Sequence, residues 1–221
     1  MDAADLPPAR YAQVLADLSR INTLTLARRP TVAFLDRVRA HGIGSKPWRV
    51  LDVGFGAGDM LARIARWGRA RGVPLDLVGV DLNPKSAPIA AARIGSRARL
   101  ITGDYRDFGE QGWDIILSSL VAHHMSPGQR RNFLRFMEAE SARGWLVNDL
   151  HRQRLPFMGF PLLATLAVAD PIVRRDGQLS VGRSFRRREW QAILADALPD
   201  AAHECRIVRR FPYRLCVERI R

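Results

Sequence analysis

The chain has 221 residues, enough for one domain with a sizeable core, and its 47% hydrophobic content is ordinary for a globular protein. A formal net charge of +13 invites a nucleic-acid partner. Yet only two of the 35 basic residues, Lys46 and Lys85, are lysines, and the arginines are scattered rather than gathered in a tail, which fits bulk arginine usage or an anionic small substrate and argues against nucleic acid.

Met1 to Asp5 is acidic and lacks an apolar signal core, and the apolar stretch Phe157 to Ala169 is too short to span a bilayer. Cys205 and Cys216 make neither a disulfide framework nor a metal-ligand spacing, so reduced core thiols in a cytoplasmic protein are expected. Tyr11, Val14, Leu15, Leu18 and Ile21 recur at helical spacing, predicting a helix over about 8–27. A second starts at Thr31 and stops at His41-Gly42. From Trp48 the pattern alternates. Arg49 to Val53, Leu75 to Val80, Arg99 to Ile101, Asp114 to Leu117 and Trp145 to Val147 read as strands. A helix runs through Leu61, Ile64 and Ala65, and another starts at a Ser126 cap with Pro127 in its first turn. Alternation of this kind implies a parallel sheet covered on both faces. A last helix, with Ser184 as its expected cap, precedes two strands, Glu204 to Arg209 and Tyr213 to Glu218, joined so briefly at Phe211-Pro212 that they must be antiparallel.

Four strand ends carry chemistry. In Asp52-Val53-Gly54-Phe55-Gly56-Ala57-Gly58 the glycines let the backbone approach a ligand, and Asp52 suits a cationic amino-acid end better than a pyrophosphate. Val80-Asp81-Leu82 ends the second strand with an acid placed to accept ribose hydroxyls. Gly103-Asp104-Tyr105 follows the third strand with an acceptor for an adenine amino group. The fourth leads through Ser118-Ser119 to His123-His124.

In this combination the sequence resembles the class I (Rossmann-like) S-adenosylmethionine-dependent methyltransferases, nearest their small-molecule branch, over roughly residues 48–150. The resemblance implies a doubly wound α/β fold, a seven-stranded, mostly parallel sheet closed by an antiparallel C-terminal hairpin. It implies S-adenosylmethionine as cofactor, held by Asp52, Gly54, Gly56 and Gly58 at its methionine portion, by Asp81 and Leu82 at ribose and adenine, by Asp104 and Tyr105 at adenine, and by Ser118 near the methyl group. Phe55 departs from the family pattern, which has a small residue there. One domain is expected: a helical cap over 1–45, the cofactor core over 46–150, a lid or substrate insertion over 151–183, and the last helix and hairpin over 184–221.

An oxygen nucleophile needs its proton removed, and histidine is suited to that near neutral pH. His151, after the fifth strand, is the first candidate and His124 the second, with His123 behind them; His151 could instead only tie the insertion to the core. Arg152 could hold a carboxylate or phenolate or be solvated. No acid follows the fourth strand to hold a metal, and no Asp/Asn-Pro-Pro-Tyr run points to amine methylation of nucleic acid or protein. The apolar insertion would wall a greasy pocket or merely cover the sheet. The expectation is O-methylation of a phenolic or polyketide-like small molecule of secondary metabolism. The alternatives are C-methylation of a similar substrate, or a non-catalytic, basic, nucleic-acid-binding protein on the same fold.

Overall fold

The computed structural model of the chain describes residues 6–167 and 170–221. Its strands are β1 (Trp48–Val53), β2 (Leu75–Asp81), β3 (Arg99–Thr102), β4 (Trp113–Ser119), β5 (Ser141–Leu150), β6 (Arg206–Arg210) and β7 (Arg214–Ile220). They form one sheet in the order β3-β2-β1-β4-β5-β7-β6. The first five run parallel, and β7 lies antiparallel between β5 and β6. This is the seven-stranded α/β fold with the closing hairpin that the sequence implies.

The helices are α1 (Pro8–Leu24), α2 (Arg29–Ala40), α3 (Asp59–Arg71), α4 (Ser86–Ile94), α5 (Pro127–Glu140), α6 (Arg154–Leu166), α7 (Pro171–Arg183) and α8 (Arg187–Ala197). Strand residues feed two apolar layers in alternation. Leu51, Ile116 and Trp145 pack on one face with Phe133, Trp190 and Leu194. Val50, Ile115 and Leu146 pack on the other with Phe34, Leu61 and Ile64. Burial on both faces is why the parallel strands read as near-continuous apolar runs. The α5 start is a full capping box: Ser126 Oγ accepts from Gln129 N, and Gln129 Oε1 accepts from Ser126 N.

Three features differ from the sequence reading. The short helix α4 fills the β2–β3 crossover, where an alanine-rich run gives little periodicity. Ser184 does not cap the last helix; it ends α7, its Oγ donating to Val181 O, and α8 begins after Arg186. The 151–183 segment is a helical hairpin, α6 against α7. The Phe160 ring lies so close on Gly177 that a Cβ there would sit 1.9 Å from Cε1.

That hairpin is tied to α1. Arg10 pairs with Asp170 at 2.9 Å, Asp170 N donates to Asp17 Oδ2, and Val14 and Ile21 share a cluster with Ala164 and Val173. The N-terminal helix and the insertion therefore make one cover over the carboxyl ends of the strands. Both cysteines are free, with Cys216 buried. No described helix is long and apolar enough to cross a membrane.

Candidate active site

The chain order reverses between β1 and β4, and the crevice beyond the carboxyl ends of such strands is where open α/β sheets take ligands. The Gly54–Gly58 loop enters it with three glycines at positive φ: 79° at Gly54, 51° at Gly56 and 69° at Gly58. A Cβ on Gly54 would meet Val121 Cγ2 at 2.4 Å, so the loop and the β4 exit close on each other there. Gly54→Ala should therefore cost about 2 kcal/mol or more in backbone strain and displacement, a Tm drop on the order of 5 °C. A melting curve unchanged from wild type would refute this packing. Phe55, the departure from the family pattern, is buried and turns its ring over Gly79, whose missing side chain makes the room.

A cavity of about 550 Å³ extends from this loop under the cover. Asp52, Gly54, Gly56 and Asp59 line one part, Ser119, Leu120, Val121, His123 and His124 another, and Leu15, Leu155, Phe160, Leu163 and Val181 the apolar wall. Tyr213 and Arg214 of the closing hairpin complete it. The insertion thus faces the cavity as well as covering the sheet.

Asp52 is 2% exposed and its Oδ2 has no hydrogen-bond partner among the described residues. Burial, with the Asp59 and Asp81 carboxylates nearby, pushes its pKa up to about 7. A buried acid left in that state is matched by a cationic ligand. Arg28 also lines the cavity and pairs with Asp59 at 3.3 Å.

The expected adenosine residues Asp81, Leu82, Asp104 and Tyr105 are not part of the cavity lining. Asp81 accepts from Gly56 N and Asn83 N, both at 2.9 Å, and so fixes the glycine loop. Leu82 is 74% exposed, an apolar surface beside it. Asp104 is occupied by Arg106, through its backbone N–H and Nη2, and these bonds hold it below the usual carboxylate range. Tyr105 packs edge-on against Phe133 and Phe136. Ser118 is buried within the sheet and donates to Val53 O, whereas Ser119 and Leu120 line the cavity. Leu120 has a φ of 63°, a left-handed residue at the ligand edge, where such conformations tend to serve positioning.

The three candidate histidines separate clearly. His151 is buried and off the cavity lining: its backbone N–H donates to Tyr213 O, its Nδ1 meets Gln153 Nε2, and it bridges to Phe185. It ties the insertion to the core and stands outside the cavity lining, away from where the first candidate base was expected. His124 does line the cavity, but desolvation and the neighbouring His123 ring push its pKa down to about 4, a weak base.

His123, ranked last from sequence, is the one with an orienting partner. Its Nδ1 lies 2.6 Å from Asp149 Oδ1, and its backbone N–H donates to Asp149 Oδ2. Asp149 is fully buried, and despite that burial His123, Leu150 N and Arg214 hold its pKa below the usual range. A carboxylate there makes Nδ1 the protonated nitrogen and leaves Nε2 as the acceptor. Asn148 Nδ2, beside Asp149 in the chain, donates to Ala27 O and Thr31 Oγ1, while Asp149 serves His123. Arg152 pairs with Glu189 and does not line the cavity.

Residues 50–139 match the family model described as a methyltransferase domain. No curated protein sequence matches the chain. Among solved structures, it is similar to the plantazolicin methyltransferase BpumL in complex with a triazolic desmethylPZN analog and SAH. That pair has a TM-score of 0.69 and 15% identity, covering 94% of this chain and 89% of that one. A SAM-dependent methyltransferase from Aquifex aeolicus gives a TM-score of 0.63 and 16% identity over 97% of this chain and 98% of that one. Magnesium protoporphyrin IX methyltransferase (ChlM) from Synechocystis PCC 6803 with bound SAH gives 0.57 and 16%, over 95% and 85%.

Proposed function

We propose that this chain, whose residues 50–139 match a methyltransferase domain, uses S-adenosylmethionine to methylate an oxygen on an apolar, aromatic small molecule of the phenolic or polyketide type, a product of secondary metabolism. The donor supplies a methyl group on a sulfonium, to be taken in line by the nucleophile. The residues suit it. Asp52 offers the orphaned carboxylate oxygen that a cationic amino-acid end needs, and Arg28 offers a cation for its carboxylate. Asp81 keeps lone pairs free for ribose hydroxyls, and exposed Leu82 gives adenine a face to cover.

The observation that carries the reading is His123 on Asp149, facing an apolar cavity continuous with the glycine loop. His123 Nε2 would accept the proton of the substrate hydroxyl as that oxygen is methylated, the donor's carbon–sulfur bond breaking to leave a neutral thioether, and Asp149 would stabilise the imidazolium that forms. The α1 and α6–α7 cover keeps water from the reaction and aligns the substrate.

The test is incubation with donor carrying a labelled methyl group and fractions of small-molecule extract, peptide and RNA. Label should enter neutral or acidic aromatic compounds as an ether or ester that hydriodic acid cleaves. Label confined to RNA or peptide, or carried on carbon, would overturn the reading.

A further inference from the structure

β7 places Arg214, Cys216 and Glu218 on one face of the sheet, opposite Leu215 and Val217 in the other layer. Both charged members are buried, Arg214 at 2% and Glu218 at 1% exposure. Their surroundings differ. Glu218 has a counter-ion in Arg37. Arg214 lines the cavity, and its Nε and Nη1 have no hydrogen-bond partner among the described residues. Arg219, a half-buried arginine with unbonded nitrogens, is ion-paired to Glu138 and Glu204, and among the described residues Arg214 has no such pair.

The opposite charge near Arg214 is Asp149, whose oxygens already take His123 Nδ1–H, His123 N–H and Leu150 N–H. Burial lowers the guanidinium's pKa, against the attraction of Asp149. Arginine nevertheless stays charged in proteins. A planar guanidinium fork with free donors, at the wall of a greasy cavity, matches a carboxylate or phenolate oxygen in geometry and charge.

We propose that Arg214 is the specificity-determining residue of the substrate cavity, and that the substrate carries an acidic oxygen, carboxylate or phenolate, on its apolar body. This rests on the methyltransferase reading for its substrate, although the anion site itself does not depend on a donor. Arg214 and His123 both attend Asp149, so the group that Arg214 holds lies at the base. A hydroxyl that ionises there gains a cation beside its oxygen as its proton passes to His123.

The experiment uses two isosteric probes, 2-naphthoate and 2-naphthamide, titrated calorimetrically into protein saturated with S-adenosylhomocysteine. Wild type should prefer the anion by about tenfold or more, as a charge-assisted fork should give. Arg214→Gln should lose that preference and keep its affinity for the amide. Arg214→Lys, which keeps the charge without the fork, should retain part of the preference and covers the case in which the glutamine variant fails to fold. Equal binding of the two probes by wild type, or an undiminished preference in Arg214→Gln, would overturn the proposal. S-adenosylhomocysteine affinity is read on each protein by itself. Its absence in wild type sinks the donor assignment, whereas the probe preference then measured without it still decides the anion site.

Discussion

Asp52→Asn should bind S-adenosylhomocysteine on the order of a hundredfold more weakly than wild type, the loss expected when a buried carboxylate no longer meets a ligand cation. The same change should make the ligand-free protein more stable at pH 8. Burial, then Asp59 and Asp81, raise the Asp52 pKa to about 7 in the folded chain, above its value when unfolded. The folded state therefore holds a proton that the unfolded state has released, and stability is lost as pH rises from the unfolded pKa through about 7. Over those roughly three units the loss is on the order of 3–4 kcal/mol, which the amide removes. Cofactor affinity should run the opposite way, because the cation is held by the ionised form. In wild type it should rise with pH up to about 7 and then level off. Calorimetry from pH 5.5 to 8, beside melting of both proteins, checks both halves. An affinity that does not change with pH, or that survives Asp52→Asn, would remove Asp52 from the cofactor site.

Much of the fold is local and therefore legible. Each of β1, β2 and β4 announces itself as an apolar run, and the brief Phe211-Pro212 link forces β6 and β7 to be antiparallel. What depends on partners is not. Ser184 is as competent to end α7 as to start α8, and only packing decides between them. The site divides in the same way. Asp52 and the glycines stand at a strand end that any parallel sheet turns toward its ligand. Ser118 misses the cavity because β4 runs on to Ser119, with side chains alternating across the sheet. His123 could be ranked only once Asp149, twenty-six residues away, was seen beneath it. Arg214 was hidden for a similar reason. Only the register that sets it opposite Leu150 brings a C-terminal arginine to the end of β5.

Replacing His123 by alanine should lower turnover by about two to four orders of magnitude, the range for a positioned base, with S-adenosylhomocysteine affinity kept. The loss should be greatest at low pH and should shrink as the substrate hydroxyl ionises unaided. A variant that had only lost packing would show no such pH dependence and would lose cofactor affinity as well. Asp149→Asn should reproduce part of the defect, because an amide no longer dictates which imidazole nitrogen carries the proton or stabilises the imidazolium. His151→Ala should leave turnover within a few-fold of wild type across the same range, since its ring is buried against Gln153 and off the cavity. The contrast between the two histidines is the decisive measurement, because both follow strands at the ligand edge and the sequence favours His151. If His151→Ala shows the pH-dependent loss and His123→Ala does not, the proton leaves by a route that Asp149 does not organise. The Asp149–His123 pair is then a structural tie at the end of β5.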